Sequence, residues 1–259
     1  VNDDFVRLSR IVHGGRVLWA VTAGKGALQP IASFTDHTPR GEPIGEGEVR
    51  LLAPVEPSKI VCVGRNYLAH ARELGNEPPE YPLLFLKPPS AVIGPGEAIL
   101  IPPVSERVDY EGEIAVVIGR TCCDADERQV RECILGYTAL NDVTARDLQK
   151  KDGQWTRAKG FDTFAPVGPE VVLTAPEFDW ASLEVSTRVN GELKQSGKAA
   201  DMAFSIPFLV AYISQIMTLA AGDVIATGTP EGVGPLAVGD EVAVEVTGLA
   251  PLVNPVRAR

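Results

Sequence analysis

The segment DYEGEIAVVIG, residues 109 to 119, sets Glu111 and Glu113 at the head of an apolar, β-branched run, Ile114 to Ile118, that reads as a strand entering a core. Side chains alternate along a strand, so the two glutamates are expected on one face with only Gly112 between them. Adjacent like charges call for compensation from solvent, a basic partner, a shared proton or a cation. Asp142, in LNDVTARDLQ, closes a second predicted strand. Three carboxylates from two strand ends form a suitable oxygen shell for Mg²⁺ or Mn²⁺, which take a few carboxylates and leave other octahedral positions to water or substrate. Two other readings stay open: a solvated strand end, and a glycosidase acid/base pair. The second sits poorly with a chain of 6% aromatics and three Trp, too few for sugar-stacking platforms.

His70 and Glu73 share a face at i,i+3 on a predicted helix, NYLAHARELG. A carboxylate beside an imidazole fixes its tautomer and raises its basicity, as a general base acting on water requires, while an ordinary surface pair is the alternative. His13 in a hairpin turn and His37 in a polar loop read as surface residues. Lys159, in TRAKGFDTF, reads by itself as a solvated lysine between short turns. GTPEGVG is followed by neither GK[ST] nor a helical pattern, so it is no nucleotide loop. Neither GxSxG nor HExxH occurs.

The elements that must position these groups are mostly strands. FVRLSRIVHGGRVLWAV predicts a hairpin through Gly14-Gly15, and STRVNGELKQS another through Asn190-Gly191. IVCVG, PLLFLK, AILIP, GYTALND, DVIATG and DEVAVEV read as strands. DADERQVREC predicts a helix with Asp124 as cap and Glu127 at the capping-box offset. TARDLQKK predicts a helix capped by Thr144, which leaves Asp142 in the strand-to-helix turn. SIPFLVAYISQIMTL predicts the longest apolar helix, with Ser205 as cap and Pro207 in its first turn. The polar, Pro/Gly-rich TPRGEPIGEGE and the restart at IVCVG suggest a small N-terminal β subdomain, residues 1–57, docked on a main domain, residues 58–259.

Composition bounds the partners. The 259 residues carry 24 Lys plus Arg against 34 Asp plus Glu, a formal charge of −10, without a basic cluster, which argues against nucleic acid and anionic membranes. No apolar run approaches the ~20 residues of a membrane span, and VNDDFVRLSR lacks a signal-peptide stretch, so a cytoplasmic location is expected. The four cysteines, Cys62, Cys122, Cys123 and Cys133, form no CxxC pair and are expected as buried thiols.

Seven segments in unbroken order, GRNYLAHARELG, LFLKPPSAV, DYEGEIAVVIG, LNDVTARDLQ, WTRAKGFDTFAPVGP, VNGELKQ and IATGTPEGVGP, resemble the fumarylacetoacetate hydrolase superfamily over roughly residues 58–255. The resemblance implies a β-rich α+β fold, the family's mixed β-sandwich roll, in a homodimer with one Mg²⁺ or Mn²⁺ per subunit. It also implies Glu111, Glu113 and Asp142 as metal ligands, and His70 with Glu73 as a water-activating dyad on a short lid. Lys159 matches a lysine that stabilises negative charge or delivers a proton. Arg146, Gln149 and Thr229 match substrate-contacting residues, Thr229 through a carboxylate, and Arg65 and Tyr67 are further candidates at the pocket entrance. The implied substrates are 2-oxo or 1,3-dicarbonyl (diketo) acids activated as enolates, with hydrolysis, isomerisation and decarboxylation all represented. The small N-terminal part resembles members acting in aromatic-acid catabolism, such as 2-hydroxyhepta-2,4-diene-1,7-dioate isomerase and acylpyruvate hydrolases. Oxaloacetate decarboxylase or tautomerase, and a non-catalytic metal-dependent binder, are the alternatives.

Overall fold

The structure is a computed structural model that describes residues 5–24, 26–68 and 80–259. The predicted helix bearing His70 and Glu73 lies outside the described residues. Among the described residues the chain is dominated by strands in three sheets, with four α-helices.

The largest sheet has at its centre Ala165–Leu173, Ile134–Asn141, Gly112–Ile118, Val224–Ala226 and Ile60–Gly64, in that order, and Leu83–Lys87 forms its edge. Val224–Ala226 runs parallel to Ile60–Gly64 and antiparallel to Gly112–Ile118, so the sheet is mixed. Its central strands are apolar over most of their length because both faces are covered. Ile114, Val116 and Ile118 pack with Val185, Val244 and Leu252 of a five-stranded sheet and with Leu209 and Ile213 of the helix Ile206–Ile216. Ala115 and Val117, on the opposite face, pack with Leu8, Val55, Leu140 and Val171. The strands of residues 7–51 extend the same sheet, Arg7 and Leu8 pairing with Val172 and Val171. They also enclose a small cluster of Ile11, Ala20 and Leu28.

Local sequence accounts for most boundaries. The Gly14-Gly15 and Asn190-Gly191 turns have positive φ at both central residues, as a hairpin whose turn matches strand twist requires. Ser205 caps the helix Ile206–Ile216 by accepting from Phe208 N–H. Two expected caps are corrected. Asp126, not Asp124, caps the helix Glu127–Cys133, and its box partner is Gln129, not Glu127. Asp124 instead sits at φ 50° in the preceding turn. Thr144 does not cap the next helix, because Thr144–Ala145 is a short strand and its hydroxyl donates to the Asp142 carbonyl. That helix begins at Arg146. The cysteines divide: Cys62 and Cys122 are buried, Cys133 is half-buried and Cys123 is exposed.

Candidate metal centre and pocket

Three carboxylates meet at the end of the large sheet. Asp142 follows directly on the strand Ile134–Asn141, Glu113 is the second residue of Gly112–Ile118, and Glu111 lies just before it. The expected continuous strand through both glutamates is broken: Val108–Tyr110 belongs to a three-stranded sheet, and Glu111 is the joint between that sheet and the large one. Glu111, Glu113 and Asp142 are 5%, 2% and 1% exposed, and ligand oxygens from all three fall within 4.8 Å of one another. Burial, followed by the negative charges of Asp142 and Glu111, pushes the Glu113 carboxyl well above the usual carboxylate range. A hydrogen bond from Gly228 N–H at 2.8 Å opposes this only in part.

Buried cations balance much of the cluster. The Lys159 ammonium, in the short helix Thr156–Lys159 and not between turns, donates to Glu111 Oε2 at 2.8 Å and Asp142 Oδ2 at 2.5 Å. Burial works against its charge, yet Asp142 and Glu111 outweigh that and raise its pKa. Its Nζ also lies 4.9 Å from the centre of the Phe85 ring. Arg146 Nη2 donates to Glu111 Oε1 at 2.5 Å, Nη1 to Gln149 Oε1 at 2.6 Å, and Nε to Asp109 Oδ2 at 2.9 Å. Lys87 donates to Asp142 Oδ1 at 2.6 Å and to the Val143 carbonyl at 3.0 Å. Burial lowers the Lys87 pKa despite the Asp142 charge beside it.

Glu111, Glu113, Asp142, Arg146 and Lys159 line one side of a cavity of about 250 Å³ whose other walls include Val63, Arg65, Phe85, Gln149, Trp155 and Thr229. Of the residues picked from sequence, Glu111, Glu113, Asp142, Lys159, Arg146, Gln149, Thr229 and Arg65 therefore share one pocket. Tyr67 does not stand at the entrance: it is 2% exposed and packs close to Gly197, because the chain after Arg65 turns inward and Tyr67 bridges to Met202. Lys87 and Asp109 escaped the sequence reading. Their signals were present, Lys87 as the charged end of an apolar strand and Asp109 as the first acid of the alternating D-Y-E-G-E.

The donor set is all carboxylate, buried and short of positive charge, which suits a hard divalent cation and gives no reason to expect a soft one. A family model for the C-terminal domain of fumarylacetoacetate (FAA) hydrolase matches residues 59–257. The chain belongs to the fumarylacetoacetate hydrolase family. Protein Rv2993c of Mycobacterium tuberculosis is 50% identical over 91% of this chain and 88% of its own length. Oxaloacetate tautomerase YisK of Bacillus subtilis is 45% identical over 80% of this chain and 73% of its own. The crystal structure of 2-hydroxyhepta-2,4-diene-1,7-dioate isomerase from Mycobacterium marinum superposes with a TM-score of 0.88 at 44% identity, covering 98% of this chain and 99% of that one. The protein is accordingly an enzyme of this family with the mixed β-rich fold of its structural neighbours.

Proposed function

We propose that the protein is a Mg²⁺- or Mn²⁺-dependent enzyme that converts 2-oxo or 1,3-dicarbonyl acids through an enolate, with Glu111, Glu113 and Asp142 as the metal ligands. One observation carries the reading: three buried carboxylates converge within 4.8 Å beside a protonated, pocket-facing lysine. When bound, the divalent ion supplies Lewis-acid charge that lowers the cost of negative charge on a keto oxygen. The protein's own groups supply the rest. Lys159, kept as an ammonium by Glu111 and Asp142, donates a hydrogen bond or a proton where charge accumulates on the substrate. Arg146 and Gln149, bonded to each other, present a donor surface to a substrate carboxylate on the same wall. Phe85 and Trp155, edge to face with centres 5.1 Å apart, form the apolar wall that limits water around the reacting carbons.

Tautomerisation between keto and enol forms needs only this proton relay, and the likeness to an oxaloacetate tautomerase favours it as the first reaction to test. Hydrolysis of a C–C bond requires in addition a base for water, the role proposed for His70 oriented by Glu73. Purified protein is mixed with oxaloacetate, an acylpyruvate and a hydroxylated heptadienedioate in Mn²⁺ or in EDTA, and the enol absorbance is followed. Metal-dependent turnover that is lost in Glu113→Ala and in Lys159→Met supports the reading; turnover indifferent to EDTA and to both substitutions refutes it. Loss of hydrolysis in His70→Ala with tautomerisation retained separates the two chemistries.

A further inference from the structure

The loop after Val224–Ala226 lies on the strand Glu192–Lys198 of the five-stranded sheet with backbone-tight contacts. A Cβ on Gly232 would come within 2.2 Å of the Lys194 carbonyl, and one on Gly112 within 2.0 Å of the Thr187 hydroxyl. Thr187 and Gln195 are cross-strand partners, so both project from this hairpin toward the Glu-Gly-Glu joint. Gln195 is 2% exposed and its amide is fully used. Oε1 accepts from Gly112 N–H at 3.0 Å, and Nε2 donates to Thr229 Oγ1 at 2.8 Å and to the Pro230 carbonyl at 2.8 Å. The orientation is forced, since a backbone N–H only donates and a proline carbonyl only accepts.

The same logic fixes the Thr229 hydroxyl. It accepts from Gln195, and its single proton goes to the Gly112 carbonyl at 2.9 Å. Gly228 N–H meanwhile holds Glu113 Oε2. A closed ring of hydrogen bonds thus runs from the residue between the two glutamates, through Gln195, to Thr229 and Pro230, and back to Gly112. We propose, resting on the metal-centre reading above, that Gln195 is a positioning residue for that centre: it sets the spacing of Glu111 and Glu113 and commits the Thr229 hydroxyl to the backbone. Thr229 then serves the metal site as a pin, its single proton held by the Gly112 carbonyl. A wholly satisfied buried amide of this kind is the type of partner whose loss weakens a metal site without touching its ligands.

The test measures Mn²⁺ affinity from the free-ion electron paramagnetic resonance signal in the wild type, Gln195→Leu, Gln195→Glu and Thr229→Val, with far-UV circular dichroism to check folding. The kinetics of oxaloacetate tautomerisation are then taken at limiting and at saturating Mn²⁺. Both Gln195 variants are expected to bind Mn²⁺ about 10- to 100-fold more weakly. Gln195→Glu keeps the acceptor for Gly112 but loses both donors. Thr229→Val is expected to weaken Mn²⁺ binding, with a smaller loss of tautomerisation at saturating than at limiting Mn²⁺, and Thr229→Ser is expected to restore affinity. Folded Gln195 variants that bind Mn²⁺ within twofold of wild type overturn the proposal, as does a Thr229→Val enzyme with unchanged Mn²⁺ affinity. Should the Gln195 variants fail to fold, exchange of the Gln195 side-chain amide protons in the wild type decides: protection supports the ring, and free exchange overturns it. A wild type that binds no Mn²⁺ defeats the metal-centre reading itself and the present proposal with it, an outcome distinct from failure of the Gln195 variants alone.

Discussion

Replacing Lys87 with Met removes one buried positive charge at nearly constant volume, and its consequences can be worked from the site. Four buried carboxylates, Asp109, Glu111, Glu113 and Asp142, face three buried cations, Lys87, Arg146 and Lys159. With every one of these groups ionised they carry one negative charge in excess, which the raised Glu113 carboxyl relieves by holding a proton, and Lys87→Met adds one more. Asp142 Oδ1 and the Val143 carbonyl lose their donor, while Asp142 Oδ2 keeps Lys159. Breaking a buried pair by deleting one partner costs ~3–5 kcal/mol, and the remaining lysine places this case at the lower end, about 3 kcal/mol. At roughly 2–4 °C per kcal/mol for a chain of this size, the variant in EDTA should melt roughly 6–12 °C below wild type. A divalent ion reverses the balance, because it brings positive charge and meets one ammonium beside Asp142 instead of two. The variant should therefore bind Mn²⁺ more tightly, and the melting gap should shrink by at least about half at saturating Mn²⁺. Differential scanning fluorimetry across a Mn²⁺ titration, with EDTA controls, reads both. A gap below about 2 °C in EDTA, or one that widens with Mn²⁺, would refute the charge argument.

Glu113, raised by burial and by Asp142 and Glu111, should keep a proton in the metal-free protein above the ordinary value of 4.5 and release it when a cation binds. Mn²⁺ affinity should then climb with pH from about the ordinary carboxylate range up to the raised value and level off above it, and titration calorimetry in buffers of different ionisation enthalpy should show proton release; buffer-independent heats count against it. Asp223 accepts from Ser58, from Lys59 through both its N–H and its ammonium, and from Ala220 N–H, which together hold its carboxyl low although burial pushes it up. Because its folded pKa is depressed, its contribution is present above about 3.9 and lost as pH falls through the folded value, and Asp223→Asn should cost about 2–3 kcal/mol at neutral pH, read by urea melts whose difference from wild type fades in acid. Asp126→Ala removes the cap and its box with Gln129, and should lower stability by about 1 kcal/mol without altering Mn²⁺ affinity, since the helix Glu127–Cys133 supplies no pocket wall.

Most strands were legible because their residues are apolar, β-branched and punctuated by turn-forming pairs with a single backbone solution, as at Asn190-Gly191. The pocket set was legible because Glu111, Glu113, Asp142 and Lys159 occur in ordered motifs, and convergence on one cavity follows from strand order. Caps were less legible. Asp124 and Asp126 are equally good acceptors in sequence, and only the positive φ that the turn imposes on Asp124 passes the role to Asp126. Lys87 and Gln195 were missed for a different reason: each is defined by a partner far along the chain, Asp142 and Gly112, which no local pattern names.

Glu111 shows how a correct choice of residue can rest on an incomplete geometry. In an unbroken strand, residues two apart share a face but stand roughly 6.7 Å apart, from a rise of about 3.3–3.4 Å per residue. At that spacing the two side chains must lean toward each other to serve one small ion together with Asp142. The break at Glu111 changes the direction from which its side chain approaches. Val108–Tyr110 pairs within the three-stranded sheet, Gly112 pairs with Asn141 of the large sheet, and Glu111 N–H is taken by the Asn141 side chain at 2.9 Å instead of by a strand partner. With its carbonyl accepting from Asp142 N–H at 2.8 Å, Glu111 sets its carboxylate between Arg146 and Lys159, and ligand oxygens of the three acids come within 4.8 Å. Gly112 makes this placement possible, because the Thr187 hydroxyl occupies the space a Cβ would need and Gln195 accepts from the backbone N–H at the joint. The sequence E-G-E thus works as a hinge between two sheets, and the spacing of its glutamates is set by what packs against the glycine.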